Sequence, residues 1–322
     1  MTTTRRDLLQ QSALAAAGAL LTRNAQAQTK DPLWKRLYPA GFRNERIKTS
    51  GAEINSVIGG SGPPLLLLHG APMSLLAWTP IAAELAKEHT LVAIDLRGRG
   101  DSSKPHGEPD HSTYSKRAIA LDGVEVMKHY GFSEFGVAGH DRGGRVARRL
   151  ALDYPAAVTG VAILDVIPEH YIYSHVNEEV VQAYFHFFDQ LRPEPGPEND
   201  YAKRYAAGTS RRMTELEAEY QRNSSTPEGI HASIEDYRAS GSIDLKHDAA
   251  DIAAGRKINS SILAIWAAGG TVDKLFPALD IWRQEGPHVS GKALPGTHNL
   301  MESAPKETLA EMLPFFRGAK RA

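Results

Sequence analysis

Short apolar runs alternate along this chain with stretches of helical spacing. Continuous apolar runs of this length are typical of strands that are covered on both faces of a sheet. They are predicted at residues 65–68, 91–94, 135–138, 158–164 and 262–266, and a further short strand is predicted near 289–294. Helical spacing is found at residues 75–87, 115–130, 145–152, 276–285 and 305–317. Strands that alternate with helices predict an α/β fold, with a mainly parallel sheet and helices on both faces.

The alternation stops in the middle of the chain. Residues 168–250 carry helical segments, several aromatic side chains and the proline-rich loop 192–197, but no strand pattern. We interpret this stretch as a helical cap inserted into the α/β domain. Residues 28–167 are then the first part of the core, and residues 251–322 are the second. Residues 44–58 add a predicted hairpin around Ser50-Gly51.

The first 27 residues have the order of a twin-arginine export signal. Arg5-Arg6 precede an apolar stretch at 13–21, and Ala25-Gln26-Ala27 forms an A-x-A cleavage site. The apolar stretch is too short to span a bilayer. We therefore expect no stable membrane insertion and a bacterial, periplasmic location. An amphipathic N-terminal helix is the alternative.

The composition excludes several classes of partner and chemistry. Lys+Arg number 37 and Asp+Glu number 38, so no basic excess indicates binding to nucleic acid or an anionic membrane. The absence of cysteine excludes thiol nucleophiles, disulfides and Cys-ligated metals. The sequence has no metal-ligand cluster, phosphate loop or dinucleotide fingerprint, so we expect no cofactor.

Asp141 stands at the tip of a predicted strand–turn–helix, between Gly139 and Gly143. α/β-Hydrolases carry their nucleophile in this context, usually within Gly-x-Ser-x-Gly. A carboxylate at this position can attack an sp³ carbon and form an alkyl ester, which water must then hydrolyse. The alternative role is an N-cap of the following helix. A cap does not require glycine on both sides, so we favour the nucleophile.

His298 follows the last predicted strand and is the candidate base that activates this water. The base needs an acid to orient it. Asp165 and Asp273 both follow predicted strands, and the residues alone leave the choice between them open. His69 and His140 are predicted to be structural.

Two arginines follow the nucleophile at helical spacing. Arg142 and Arg145 are three residues apart and would share one helix face, where they could grip a substrate carboxylate. The alternative is a pair of surface arginines, which is the prediction for Arg148 and Arg149. The backbone N–H groups of Arg142 and Ala71 are the expected donors to the oxyanion.

These residues together resemble the fluoroacetate (haloacetate) dehalogenases, from about residue 60 to the C-terminus. The resemblance is carried by Gly139-His140-Asp141-Arg142-Gly143-Gly144-Arg145, by Asp165 in Ile163-Leu164-Asp165, and by His298. It implies that Arg142 and Arg145 hold the substrate carboxylate and that Asp165, rather than Asp273, is the acid. It also implies a homodimer.

The resemblance further implies a halide pocket, in which His186 and Tyr237 match family residues. The family has tryptophan where this chain has Phe187, which lacks the indole N–H donor. We therefore expect fluoride to leave less readily than chloride or bromide. Ala71 stands where a larger apolar residue is usual, and this could widen the pocket for an α-substituent.

The predicted function is hydrolysis of short 2-haloacids to halide and a 2-hydroxy acid. The first alternative is an epoxide hydrolase on the same scaffold, with Tyr237 and Tyr184 as donors to the epoxide oxygen. The arginine pair argues against it, because neutral epoxides need no carboxylate clamp. The second alternative is a non-catalytic ligand-binding protein, which would be expected to lack the nucleophile, the acid or the base.

Overall fold

The computed structural model describes residues 31–208 and 212–318. The predicted export signal at residues 1–27 lies outside the described residues and stays a prediction. Residues up to Arg36 belong to a small N-terminal unit, and a large compact unit begins at Leu37. In the smaller unit, Lys35 Nζ lies 2.9 Å from Asp31 Oδ1. Among the helices of the described residues, none has the length and apolar character needed to cross a bilayer.

The large unit is built on an eight-stranded sheet with the order β1-β2-β4-β3-β5-β6-β7-β8. The strands are β1 Arg43–Lys48, β2 Glu53–Gly60, β3 Pro64–Leu68, β4 Thr90–Ile94, β5 Phe135–His140, β6 Val158–Leu164, β7 Ser261–Ala267 and β8 Val289–Leu294. β1 and β2 form the predicted hairpin, and β2 pairs antiparallel with β4. All other pairs are parallel. The predicted α/β-hydrolase type of fold is confirmed.

The apolar runs of the sequence lie in the middle of this sheet. β5 is fully buried along its length and lies between β3 and β6. Leu65 to Leu68 in β3 and Val161 to Leu164 in β6 are at most 1% exposed. Because these strands are parallel, their carboxyl ends meet at one edge of the sheet, and Asp141 and Asp165 follow there.

A short helix, α1 Leu33–Leu37, precedes β1 along the chain. The other helices pack on the sheet or fill the segment between β6 and β7. They are α2 Thr79–Leu85, α3 Lys116–His129, α4 Arg142–Asp153, α5 Glu169–Ser174, α6 Glu178–Ala183, α7 Phe185–Asp189, α8 Gly196–Ala207, α9 Glu215–Ser224, α10 Pro227–Ser240, α11 Ile243–Ala253, α12 Thr271–Leu275, α13 Ala278–Arg283, α14 Leu300–Ser303 and α15 Pro305–Gly318. Short 3₁₀ helices span Leu75–Trp78 and Ser112–Tyr114.

One predicted helix is shorter than expected. The helix predicted at 276–285 is α13, which spans only Ala278–Arg283, and a separate helix that was not predicted, α12, precedes it and ends before Phe276 and Pro277. Phe276 is extended, with φ −137° and ψ 140°. A residue before proline is sterically disfavoured in the helical region, so Pro277 separates the two helices.

The helices α5 to α11 form the segment that we call the cap. They run from Glu169 to Ala253, so the last helix continues three residues beyond the predicted limit of 250. The prediction that Arg148 and Arg149 lie on the surface is wrong, because they are 6% and 2% exposed. Cap helix α11 covers that face of α4, and its acidic residue Asp248 pairs with both arginines. Helical spacing alone cannot predict that the cap helix α11 packs against this face of α4.

Candidate functional site

Asp141 lies on a tight turn between β5 and α4, in an uncommon backbone conformation. Its φ is 49° and its ψ is −116°, outside the regions that side chains other than glycine prefer. A Cβ on Gly139 would lie 2.3 Å from the Gly143 carbonyl oxygen, and one on Gly143 would lie 2.3 Å from the Leu68 carbonyl oxygen. The turn therefore requires glycine on both sides, and it holds Asp141 at the end of the sheet.

The Asp141 carboxylate faces the loop that follows β3. The backbone N–H of Ala71 donates to Asp141 Oδ1 at 2.9 Å. A Cβ on Gly70 would lie 2.7 Å from the Asp141 Cβ. The loop can therefore lie this close to Asp141 only because residue 70 is glycine. The amide of Ala71 thus lies where an oxyanion on an Asp141 ester would need a donor.

His298 joins Asp141 to a second carboxylate. Its Nδ1 donates to Asp165 Oδ2 at 2.6 Å, and its Nε2 lies 3.7 Å from Asp141 Oδ2. Asp165 also has a positive φ of 52°, and its Oδ1 accepts from the Ala267 N–H at 2.8 Å. The structure thus brings the three predicted residues together in the order Asp141, His298, Asp165.

Asp273 has a different role. Its two carboxylate oxygens accept from Trp266 Nε1 at 2.7 Å and from the Gly269 N–H at 2.9 Å. These bonds close the loop that follows β7. Of the two acids that the residues alone left open, Asp165 is the one in contact with the histidine.

The protonation of this trio follows from its charges. Burial alone would raise the pKa of Asp141, but the nearby charge of His298 holds it well below its usual range. Burial alone would lower the pKa of His298, but the nearby carboxylate of Asp141 and the hydrogen bond to Asp165 raise it to about 10. In the free site at neutral pH, a protonated imidazole therefore lies between two carboxylates.

The two other histidines at this edge of the sheet, His69 and His140, are uncharged and hold the backbone in place. His69 is fully buried; its Nδ1 lies 2.7 Å from the Gly70 carbonyl oxygen, and its Nε2 accepts from the Leu96 N–H. His140 Nε2 donates to the carbonyl oxygen of His298 at 2.8 Å. Burial lowers the pKa of His69 to about 3 and that of His140 to about 4. His140 thus holds the backbone of the loop that carries His298 without carrying charge.

A cavity of about 460 Å³ opens onto the Asp141 carboxylate. Its walls come from α4, from the start of the cap and from the loops after β6, β7 and β8. They include Asp141, Arg145, Asp165, Tyr184, His186, Phe187, Gly269, Gly270, Thr271, Thr297 and His298. This volume is in the range of pockets that bind small organic molecules.

The two predicted clamp arginines have different surroundings. Arg142 is 1% exposed, and its Nε and Nη2 donate to the carboxylate of Asp236 at 2.7 and 3.0 Å. Its Nη1 donates to Glu169 Oε1 at 2.7 Å. All three of its guanidinium nitrogens are thus engaged by the protein, and Arg142 is not among the residues that line the 460 Å³ cavity.

Arg145 lines the cavity and keeps binding capacity. Its Nη1 donates to the Ile167 carbonyl oxygen at 2.9 Å. Its Nε is buried without a hydrogen-bond partner among the described residues, and Glu169 Oε1 is 3.5 Å away. Of the predicted pair, Arg145 is thus the arginine that can bind an anion in this arrangement.

The predicted halide residues lie together at the cap side of the site. The rings of His186 and Phe187 are 5.7 and 5.2 Å from that of Tyr237. Phe187 lies under the guanidinium of Arg145 at 5.1 Å, and Tyr237 under that of Arg142 at 4.3 Å. Burial raises the pKa of Tyr237, so its phenol keeps its proton and can donate.

The sequence analysis did not identify Glu169 and Asp236 as part of this site. Asp236 precedes the predicted Tyr237, and Glu169 is four residues beyond Asp165. Their contacts with Arg142 span 94 and 27 residues along the chain. The only sequence signal was indirect: two arginines placed in a buried turn require acidic partners.

This geometry permits one kind of covalent chemistry. An ionised carboxylate faces the cavity, a backbone N–H points at it, and an imidazole held by a second carboxylate lies 3.7 Å away. The Asp141 carboxylate can form an ester with an electrophilic carbon. The His298 imidazole can then act as a general base that deprotonates a water molecule.

Comparison with known proteins agrees with this geometry. Residues 63–302 match the family defined by the alpha/beta hydrolase fold. The fluoroacetate dehalogenase of a Burkholderia species is 38% identical over 292 residues, which cover 87% of this chain and 95% of that protein. A soluble epoxide hydrolase of Corynebacterium is 43% identical over 119 residues, 37% of this chain and 40% of that protein.

A solved structure extends the comparison to the whole fold. A Nostoc protein assigned to the α/β hydrolases has a TM-score of 0.82 and 42% identity, covering 86% of this chain and 99% of that one. The family resemblance read from the sequence is thereby confirmed. The chain belongs to the α/β-hydrolase fold family and is a hydrolase related, over most of its length, to the fluoroacetate dehalogenases.

Proposed function

We propose that this hydrolase cleaves the carbon–halogen bond of short 2-haloacids and releases halide and a 2-hydroxy acid. The observation that carries the proposal is the pairing of an ionised Asp141 with Arg145 at one cavity. A carboxylate nucleophile selects an sp³ carbon with a leaving group. The unpartnered Nε of Arg145 selects a substrate with an anionic group beside that carbon.

In the first step, Asp141 attacks the carbon that bears the halogen. The new C–O bond forms as the carbon–halogen bond breaks, and the halide leaves with the electron pair. His186 lines the cavity, and its ring lies 5.7 Å from that of Tyr237. These two residues would supply polar groups for the departing ion. Phe187 offers a ring face but no N–H, so chloride and bromide should leave more readily than fluoride.

The second step is prepared by the first, because esterification removes the negative charge of Asp141. His298 then keeps Asp165 as its remaining carboxylate partner, and its pKa falls. The imidazole releases its proton to solvent and can take one from a water molecule. This water attacks the ester carbonyl carbon, and the resulting oxyanion is received by the Ala71 N–H. Collapse of the intermediate returns the Asp141 carboxylate and frees the hydroxy acid.

Epoxide hydrolysis on the same nucleophile is the second candidate, and Tyr184 favours it. This tyrosine lines the cavity, and burial raises its pKa to about 12, so it can donate to an epoxide oxygen. The charge of Arg142 is already matched within the protein, which reduces the requirement for an anionic substrate. Arg145 argues against it, because a neutral epoxide leaves its Nε without a partner.

The deciding experiment compares halide release from fluoro-, chloro- and bromoacetate with diol formation from styrene oxide. We expect halide release from chloro- and bromoacetate, and its loss in Asp141→Asn. The matched control is Asp280→Asn, which changes an exposed aspartate on α13. Diol formation without halide release would replace the proposal with the second candidate. A fully active Asp141→Asn enzyme would refute the nucleophile.

A further inference from the structure

Glu169 places a carboxylate of the protein itself between the two arginines. It is the first residue of α5 and is 4% exposed. Its Oε1 accepts from Arg142 Nη1 at 2.7 Å and lies 3.5 Å from Arg145 Nε. A single oxygen of the protein thus lies where two guanidinium groups converge, which is the position expected for the carboxylate of a clamped substrate.

Among the residues that the structure describes, the ion pairs around Glu169 join one more cation than carboxylates. Its connected set contains the cations Arg99, Lys116, Arg142 and Arg145 and the carboxylates Glu169, Asp236 and Asp244. Asp236 is shared by Arg99, Lys116 and Arg142. With four cations and three carboxylates, this set of ion-paired side chains carries one positive charge in excess. Arg145, which reaches the cavity, is the residue through which this charge is accessible.

Two buried polar atoms near Glu169 have no hydrogen-bond partner among the described residues. They are Arg145 Nε and the hydroxyl of Tyr173. The charges of Glu169, Arg142 and Arg145 all act on this hydroxyl, which places it in the same cluster. Buried donors without partners are rare in proteins unless water or a ligand satisfies them. The position for an incoming anion is therefore beside Arg145, at the edge of the cluster.

We propose that Glu169 determines how tightly this site binds carboxylates. Its carboxylate accepts a hydrogen bond from Arg142 and lies within 3.5 Å of Arg145 Nε, where it competes with the substrate carboxylate. The substrate carboxylate is therefore held by one arginine rather than two. The inference rests on the proposed function. Its consequence concerns the product as much as the substrate. A 2-hydroxy acid carries the same carboxylate as the haloacid, and a site with two unmatched cations would retain it after each turnover.

The test removes the charge of Glu169 while keeping its shape, in Glu169→Gln. Two cations would then be unmatched, and binding of glycolate, measured by isothermal titration calorimetry, should tighten by about ten- to a hundredfold, the ratio for one charge-assisted hydrogen bond. KM for chloroacetate should fall, and kcat should fall if product release becomes limiting. Turnover of the uncharged chloroacetamide should change by less than about twofold.

Three further variants separate charge from structure. Glu169→Asp keeps the charge and should bind glycolate within about threefold of the parent. Glu169→Met replaces the charged side chain with an apolar one and should tighten glycolate binding as Glu169→Gln does. If one of these two variants fails to fold, the other still tests the proposal. The matched control is Glu179→Gln, an exposed glutamate on α6, with no expected effect.

The outcomes are distinct. Unchanged glycolate affinity in the folded charge-free variants would overturn the proposal, as would equal tightening in Glu169→Asp. Calorimetry needs no turnover, so the result does not depend on the reaction. Tighter glycolate binding by Glu169→Gln without halide release by any form would uphold the anion site and refute the proposed dehalogenation.

Discussion

The two half-reactions at Asp141 should respond differently to pH. Alkylation needs an ionised Asp141, and its pKa lies well below the usual range. The first step should therefore be insensitive to pH above about 5. Hydrolysis of the ester needs a neutral His298, and this residue has a raised pKa. Lowering the pH should slow the second step alone, so that the alkyl ester accumulates.

The size of the effect follows from the geometry of the free site. Two unit charges 3.7 Å apart interact by about 4.5 kcal/mol at an effective dielectric constant of roughly 20. About half of the His298 side chain is exposed, so solvent screening reduces the attraction to about 2 kcal/mol. Loss of the Asp141 charge should then lower the pKa of His298 from about 10 to about 8.5. Below this value, hydrolysis should slow about tenfold for each pH unit.

The assay isolates the second step. Enzyme is mixed with chloroacetate at pH 6, excess substrate is removed, and the pH is raised in parallel samples. Intact-mass spectrometry follows the loss of the carboxymethyl group, and a rapid-quench measurement of chloride gives the initial burst. We expect a burst close to one chloride per site and an ester whose decay speeds up about a hundredfold from pH 6 to pH 8. Decay at one rate over this range would refute the assignment of His298 as the base.

Three substitutions probe the rest of the site. Arg145→Gln should raise KM for chloroacetate about tenfold or more, the loss of one charge-assisted bond, while chloroacetamide turnover stays constant; equal losses on both substrates would contradict an anion-binding role. Phe187→Trp should raise the fluoroacetate to chloroacetate rate ratio, and an unchanged ratio would count against the halide pocket. Asp236→Asn leaves the buried Arg142 without its bidentate partner and should lower the free energy of unfolding by about 4 kcal/mol in urea titrations. The exposed aspartate control, Asp280→Asn, should change it by less than about 1 kcal/mol, and equal effects would refute the buried-pair argument.

Much of the fold could be predicted because its signals are local. Four consecutive leucines at 65–68 become a buried strand, and the glycines around Asp141 become the tight turn that the sequence indicated. The start of α13 at Ala278 also has a local cause in Pro277, but the prediction rested on helical spacing alone and placed the start at residue 276. A proline disfavours the helical conformation in the residue before it.

The partners of the charged residues could not be predicted in the same way. Arg148 has the spacing of a surface arginine, yet it pairs with Asp248, a hundred residues later. Arg142 was expected to hold a substrate, yet Asp236 and Glu169 engage it first. These pairings depend on where the cap folds back onto α4, and composition and spacing contain no record of that contact. The sequence indicated the candidate nucleophile and base, which the structure places near each other, but it did not indicate the distribution of charge around them.

The arginines of α4 also decide how a substrate can reach the nucleophile. Arg142 is tied to α10 through Asp236, and Arg148 and Arg149 are tied to α11 through Asp248. Separation of the cap from α4 would break several buried ion pairs at once. Each broken pair would cost about 3 kcal/mol or more in free energy. These ion pairs therefore hold the cap against α4. Exchange of substrate and product should then occur without separation of the cap from the core.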